Sequence, residues 1–145
     1  MARHTRSEML EILRGIPLFA HLPKGDLREV AKLCFEEVYE TDQVILKQLE
    51  DAQFMVAITS GRARVTRDGH AVAKVGAGEV VGEMALIDGQ RRSAAVVAET
   101  RVEAIVLHRT AFLKLLDSNP SMARWLLMAQ TARLREADRK LGALG

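Results

Sequence analysis

Residues 76–98 read GAGEVVGEMALIDGQRRSAAVVA, and this stretch carries the strongest prediction of fold and function in the chain. It places glycines, one carboxylate (Glu83) and a basic pair (Arg91 and Arg92) around a short apolar turn. Free backbone amides at the start of a helix, together with an arginine, form an anion site. A carboxylate beside such a site can accept hydrogen bonds from hydroxyl groups. One phosphate and one sugar hydroxyl held side by side describe a nucleotide.

The spacing within this stretch supports an anion site. Gly82 has no side chain, so its backbone can approach a ligand closely, and residues 83–87 can form one helical turn. Arg92 follows far enough behind Glu83 for the chain to fold back. Its guanidinium can pair with the two free oxygens of a phosphodiester, and Ser93 can add a hydroxyl donor. The spacing therefore makes Arg92 a candidate phosphate ligand.

Other phosphate-binding motifs do not match the sequence. The pattern Gly-x-x-x-x-Gly-Lys-Ser/Thr of triphosphate sites is absent. The spacing of Gly76, Gly78 and Gly82 differs from that of a dinucleotide fingerprint, and no parallel strand-helix-strand unit follows. The simplest alternative is that these glycines are ordinary turn residues and that Arg91 and Arg92 are surface charges.

The composition describes one globular domain. The chain has 145 residues, of which 48% are hydrophobic and 28% charged, and its net charge of +2 is too small to predict a polyanionic partner. No apolar stretch has the length of a signal peptide or a membrane span. Cys34 is the only cysteine and lies in an apolar run, so we expect a buried structural thiol and a cytoplasmic protein. The four histidines are scattered, so we expect no metal site.

The order of elements is helices, then strands, then helices. Thr5 and Glu8 have the spacing of a capping box, and Gly15 is expected to end that helix. Asp68 and Gly69 predict a β-hairpin. Many short β-like runs with turn residues between them, in the middle of the chain, predict a small barrel or jelly roll.

Helical character returns near the C-terminus. Thr110 is predicted to cap one helix, and Asn119–Pro120 predicts the start of a longer helix that extends to about residue 141. Its basic residues fit a solvated face or, alternatively, a contact with nucleic acid or a partner. Trp125 is expected to anchor this helix on the domain. A heptad of leucines fits either a face packed on the barrel or a homodimer seam: Leu127, Leu134 and Leu141.

The stretch at 76–98 resembles the phosphate-binding cassette of the cyclic nucleotide-binding domain family. The family pattern is Gly-Glu-aliphatic-Ala/Gly-Leu, followed after a few residues by Arg-Ser/Thr/Ala-Ala-x-Val-x-Ala. Here the two halves are residues 82–86 (GEMAL) and 92–98 (RSAAVVA). The similarity extends over nearly the whole chain. It implies an α+β fold, an eight-stranded antiparallel β-roll like a jelly-roll barrel, flanked by N-terminal helices and a long C-terminal helix. The implied single domain, 1–145, comprises N-terminal helices in 1–36, the β-roll with its cassette in 37–109, and C-terminal helices in 110–145.

The resemblance also implies a ligand and its contacts. The ligand would be cAMP or, alternatively, cGMP, with no other cofactor and no catalysis. Glu83 would bind the ribose 2′-hydroxyl, and Arg92 would bind the cyclic phosphate. The remaining implied contacts are the backbone of Gly82, Met84 and Ala85 around the phosphate, Ser93 at the phosphate or purine, Val75 and Ala63 in the base pocket, and Arg133 and Ala137 in the helix that closes over the base.

Three positions depart from the family pattern. Family members usually have glycine where this chain has Asp42 and Leu49. Aspartate tolerates a left-handed backbone better than most residues, but leucine does not, so we predict that the turn near Leu49 is rebuilt. Val81 stands where an aromatic residue is common, which predicts looser packing of the cassette.

The resulting hypothesis is a stand-alone receptor domain of bacterial type that binds a cyclic nucleotide and signals through its C-terminal helix. The chain ends just after that helix, so we expect a protein partner or a missing output domain, and no membrane contact. Two alternatives remain open. One is a DNA-binding regulator that uses the basic helix, although such relatives add a recognition domain that this chain lacks. The other is a degenerate interaction module without a ligand, against which the intact Glu83 and Arg92 argue.

Overall fold

The computed structural model describes residues 4–144, in which eight strands and five helices follow one another in the predicted order. The helices are α1 (Arg6–Arg14), α2 (Lys24–Leu33), α3 (Glu83–Asp88), α4 (Arg109–Ser118) and α5 (Pro120–Leu144). The strands are β1 (Phe35–Tyr39), β2 (Val44–Leu46), β3 (Phe54–Ser60), β4 (Arg62–Arg67), β5 (His70–Gly76), β6 (Val80–Val81), β7 (Ala95–Ala98) and β8 (Val102–His108).

The strands form two four-stranded antiparallel sheets, with the orders β1-β8-β3-β6 and β2-β7-β4-β5. This arrangement confirms the predicted β-roll. The hairpin predicted at Asp68 and Gly69 joins β4 to β5. Both residues have positive φ, 53° and 82°, as a two-residue type I′ turn requires.

Two apolar clusters stabilise these layers. The first lies between the sheets and includes Ile58 of β3 and Val96 of β7. The second joins the first sheet to the helices, and its fully buried side chains include Phe19, Leu86 and Phe112. Because α3 contributes Leu86 to this second cluster, the cassette is anchored in the core of the domain rather than suspended in a loop.

The helix ends show which capping predictions were correct. The capping box is confirmed, because the Glu8 amide donates to Thr5 Oγ1 at 3.2 Å and the Thr5 amide donates to Glu8 Oε1 at 2.8 Å. The cap predicted at Thr110 is wrong, since α4 begins at Arg109 and His108, two residues earlier, occupies the cap position without a side-chain hydrogen bond. The long helix begins at Pro120 as predicted.

Two further predictions need correction. Strand β1 begins at Phe35, within the segment that was predicted to be helical. Cys34 is half-buried rather than buried, and its thiol donates to the Ala31 carbonyl at 3.6 Å. Burial raises the pKa of the Cys34 thiol to about 11. The thiol is therefore protonated at neutral pH, which fits a structural role better than that of a nucleophile.

The leucine heptad of α5 does not pack on the barrel. Leu127, Leu134 and Leu141 are 69%, 68% and 66% exposed. Trp125, on another face of the helix, packs against the helical core as expected. The first interpretation of the heptad, a face packed on the barrel, is therefore wrong, and the stripe faces outward.

The prediction that the turn at Leu49 is rebuilt is also wrong. Leu49 itself has φ of 70°, and Asp42 has φ of 71°. The Leu49 amide donates to the Arg92 carbonyl at 2.8 Å, and the Arg92 amide donates to the Glu50 carbonyl at 3.0 Å. These two bonds hold the turn against the cassette, so a left-handed leucine is retained despite its steric cost.

We expect Leu49→Gly to raise the free energy of unfolding by about 1 kcal/mol, because it removes left-handed strain of roughly 1–2 kcal/mol while adding a smaller entropic cost. Urea unfolding measures the change. Leu49→Ala is the matched control, since it also removes this exposed side chain but keeps a Cβ at positive φ. Equal gains in the two variants would show that backbone strain is not the cause.

Candidate functional site

A cavity of about 400 Å³ lies beside the cassette, which we define as residues 82–98. The cassette, strand β5 and helix α5 all contribute to its walls. Eight of the ten predicted site residues line it: Val75, Gly82, Glu83, Met84, Ala85, Arg92, Ser93 and Arg133. The tertiary structure thus brings together residues that lie up to 58 positions apart in the sequence (75 to 133).

The other two predicted site residues lie elsewhere. Ala63 is fully buried in the cluster between the sheets. Ala137 is exposed on α5 and does not line the cavity. In place of Ala63, the small and branched side chains of Ala73 on β5 and Val65 on β4 face the cavity. Ala63 and Val65 lie on the same face of β4, because side chains alternate along a strand, so alternation alone could not show which of the two lines the cavity.

Gly82 is required by the packing around it. It has φ of 85° and occupies the N-cap position of α3. A Cβ at this position would lie 2.5 Å from Arg92 Nη1 and 2.9 Å from Leu46 Cδ1. The glycine therefore serves two purposes: it permits the left-handed turn, and it lets the arginine pass directly beside the backbone.

Arg92 is a buried cation at the wall of the cavity, with 4% of its surface exposed. Its Nη1 donates to the Gly82 carbonyl at 3.2 Å, and its Nη2 donates to the Phe54 carbonyl. Its Cζ lies 5.4 Å from the centroid of the Phe54 ring. Burial lowers the pKa of Arg92, while Glu50 and Glu83 act in the opposite direction. An arginine remains charged at neutral pH even so.

The charge of Arg92 is not neutralised by a carboxylate contact. Among the described residues, none of the ion pairs includes it, whereas its neighbour Arg91 is exposed and pairs with Asp51 at 3.7 Å. A buried cation that makes no close ion pair favours binding of an anion from solution. Arg92, and not Arg91, lines the cavity.

Glu83 is the second buried charge of the site and is also 4% exposed. Its Oε1 accepts a hydrogen bond from Gln130 Nε2 at 3.4 Å and lies 3.8 Å from Arg133 Nη1. Burial raises the pKa of Glu83 above its ordinary value, and a backbone hydrogen bond, the charge of Arg133, the hydrogen bond from Gln130 and the more distant charge of Arg92 reduce that rise. The carboxylate is thus available as a hydroxyl acceptor and is already joined to α5.

Two contacts of the site were missed at the level of the sequence. Gln130 lies one helical turn before Arg133 and so shares its face of α5, which is the signal that could have identified it. Phe54 contacts Arg92 through its carbonyl and its ring. No local pattern predicts a partner 38 residues away.

A family model described as cyclic nucleotide-binding domain matches residues 36–119. The chain belongs to this family. It is 31% identical over 137 residues to the cyclic AMP receptor protein of Thermus thermophilus, covering 91% of this chain and 63% of the receptor. It is 34% identical over 113 residues to a cyclic nucleotide-gated potassium channel of Rhizobium etli, covering 78% of this chain and 32% of the channel.

Solved structures agree with this assignment. A crystal structure of a cyclic nucleotide-binding domain from Methylobacillus flagellatus has a TM-score of 0.73 and 33% identity, covering 92% of this chain and 81% of that one. The family domain is regulatory rather than catalytic. The chain spans less than two thirds of each of the two curated relatives. Within residues 4–144, no helix combines the length and apolar character needed to cross a membrane.

We expect Glu83→Gln to stabilise this cyclic nucleotide-binding domain in the absence of ligand. A raised pKa means that the folded state binds a proton more tightly than the unfolded chain, so stability falls as pH rises from the ordinary pKa through the raised one. Glutamine avoids this fall, and the ion pair that it gives up, with the 59% exposed side chain of Arg133, contributes little to stability. Urea unfolding between pH 4 and pH 8 should show a gain of the variant over wild type that grows with pH.

The matched control is Glu136→Gln, which removes an exposed carboxylate from α5. It should change the free energy of unfolding by less than about 0.5 kcal/mol. A gain for Glu83→Gln that is absent, or that shrinks as the pH rises, would contradict the assignment of Glu83 as a destabilising buried charge.

Proposed function

We propose that this chain is a receptor domain that binds cAMP, or alternatively cGMP, without transforming it, and that transmits the binding through α5. The observation that carries the proposal is the buried guanidinium of Arg92, which makes no ion pair among the described residues, at the wall of a cavity that also contains Glu83. A cyclic nucleotide offers the two matching groups, one phosphate charge and one ribose 2′-hydroxyl.

The charge and geometry of Arg92 fit a cyclic phosphodiester. The guanidinium has five N–H donors, and the two observed bonds to carbonyl groups leave others for the phosphate oxygens. A cyclic phosphodiester carries one negative charge, which one arginine balances. The bonds to Gly82 and Phe54 hold the guanidinium in place before the ligand arrives, which lowers the cost of ordering it on binding.

Glu83 and the apolar wall provide for the rest of the ligand. The carboxylate of Glu83 is proposed to accept the ribose 2′-hydroxyl, and Val65 and Val75 offer an apolar surface for the base. Arg133 stands at the same cavity from α5, where its planar guanidinium can stack on a purine. The cavity of about 400 Å³ falls in the usual range for small-molecule sites. The similarity to a protein named as a cyclic AMP receptor supports cAMP as the first ligand to test.

The output is proposed to be the position of α5. This helix contacts the cavity through Arg133 and contacts Glu83 through Gln130. A nucleotide that binds better when α5 is docked shifts the population toward the docked state. If the nucleotide prefers the docked state of α5 by about 2 kcal/mol, it changes the ratio of docked to undocked molecules roughly thirtyfold. Such a change is enough to regulate a protein partner or an attached domain.

The outward stripe of α5 supports a homodimer as one form of that output. Leu127, Leu134 and Leu141 recur at heptad spacing, and each is about two thirds exposed. In a two-stranded coiled coil such a stripe is the buried seam. A second copy of this chain presents the same stripe and so is a self-complementary partner.

Calorimetric titration with cAMP and cGMP tests the proposed receptor function. We expect saturable binding of cAMP and a decrease of at least about a hundredfold in affinity for Arg92→Ala, because a buried phosphate would lose its counter-ion. Arg91→Ala is the matched control and should bind as wild type does, since Arg91 points to solvent. Thermal melting of each variant shows whether it is folded.

The absence of heat and of thermal shift with both nucleotides would refute the receptor function. Unchanged affinity in a folded Arg92→Ala variant would place the phosphate elsewhere. If Arg92→Ala does not fold, Arg92→Lys keeps the charge but loses bidentate pairing, and it should still bind cAMP more weakly than wild type.

Sedimentation equilibrium tests the homodimer. We expect concentration-dependent dimers, and a shift to monomers in Leu134→Glu, because a charge in an apolar seam is costly. Val72→Glu is the matched control, since Val72 is an exposed apolar residue of β5, outside the stripe. A wild-type chain that is monomeric at about 100 µM, a concentration that would correspond to about 5 kcal/mol of association, contradicts the dimer.

A further inference from the structure

Glu83 separates two cavities. The first is the proposed nucleotide site. The second, of about 290 Å³, lies between α3, α4 and α5 and is lined almost entirely by apolar side chains. Glu83 and Met84 border both. Gln130 borders only the second cavity, and Arg133 borders only the first. The carboxylate therefore receives its two α5 contacts from two different sides.

The two α5 partners of Glu83 differ in what a bound nucleotide would do to them. Arg133 approaches Glu83 Oε1 at 3.8 Å from within the first cavity, where the ribose would lie, and its side chain is 59% exposed. The ribose therefore competes with it for space and for the carboxylate. Gln130 is half-buried and donates to the same oxygen at 3.4 Å from outside that cavity. Its contact is compatible with a ligand in place.

The uncharged amide of Gln130 is also a suitable partner for the buried carboxylate of Glu83. A half-buried amide donor stabilises the ionised carboxylate without adding a further buried charge. Burial already raises the pKa of Glu83, so each donor that faces it increases the ionised fraction, which can accept a hydrogen bond from a hydroxyl. A carboxylate held by one donor also loses less conformational freedom when a second donor arrives.

We propose that Gln130 is a positioning residue for nucleotide binding: it holds the Glu83 carboxylate from the second cavity and remains bonded to it when the ribose 2′-hydroxyl binds from the first. The inference rests on the proposed function. One carboxylate then joins the ligand to α5, and by linkage the docking of α5 through Gln130 and the binding of the hydroxyl strengthen each other.

The test combines one substitution with one change in the ligand. Gln130→Met keeps the length and shape of the side chain, removes the donor and suits the apolar cavity. The affinities of wild type and variant are measured by calorimetry for cAMP and for 2′-deoxy-cAMP, which lacks the hydroxyl. We expect Gln130→Met to weaken cAMP about tenfold and 2′-deoxy-cAMP less than about twofold, since removing a donor to a charged group matters only where that group is used.

A merely structural role would weaken both ligands equally, and that result overturns the proposal. Thr131→Ala is the matched control on α5, because Thr131 is exposed and its hydroxyl bonds the carbonyl of Leu127 in its own helix. It should leave both affinities unchanged. If Gln130→Met does not fold, Gln130→Ala must show the same selective decrease. Wild-type binding with equal decreases for both ligands refutes only the role of Gln130, whereas no wild-type binding refutes the receptor function and this role together.

Discussion

The buried guanidinium of Arg92 organises the centre of the domain. Its side chain bonds the carbonyls of Gly82 and Phe54, and its backbone exchanges hydrogen bonds with Leu49 and Glu50. One residue thus joins the cassette, strand β3 and the turn after β2. Its presence explains why a glycine is needed at position 82, where a Cβ would collide with it. The same residue has no carboxylate partner among the described ion pairs, so the charge that organises the domain is also the charge available to a ligand.

Glu83 is the second buried charge of the site, and its sign is opposite to that of Arg92. Its burial is unfavourable for the unliganded fold, as the raised pKa indicates, yet a buried carboxylate is a strong acceptor for a hydroxyl. Its partners, Gln130 and Arg133, come from α5 rather than from the β-roll. Stability and the proposed function are therefore linked at this residue, and the helix that would report on the ligand already contacts the group that would bind it.

Local patterns predicted the parts of the structure that depend on neighbouring residues. The capping box at Thr5 and the hairpin at Asp68–Gly69 were correct because each is closed by hydrogen bonds within a few residues. The cassette was recognised as a continuous motif. The errors concern long-range context. Leu49 keeps a left-handed backbone because Arg92, 43 positions later, holds it there (49 to 92). The leucine heptad of α5 was ambiguous because its spacing fits any apolar contact, and only the packing of the helix shows which face remains exposed.

The sequence by itself determined the family and the β-roll, through the resemblance carried by a contiguous motif, and it identified Glu83 and Arg92 as the two charged residues of the candidate site. The tertiary structure alone decided that Arg92 is buried and makes no ion pair among the described residues, that Ala63 is fully buried while Val65 lines the cavity, and that Gln130 contacts Glu83. These facts depend on how sheets and helices pack. Burial, pairing and the sharing of one carboxylate are properties of residues brought together from distant positions, and no local pattern specifies them.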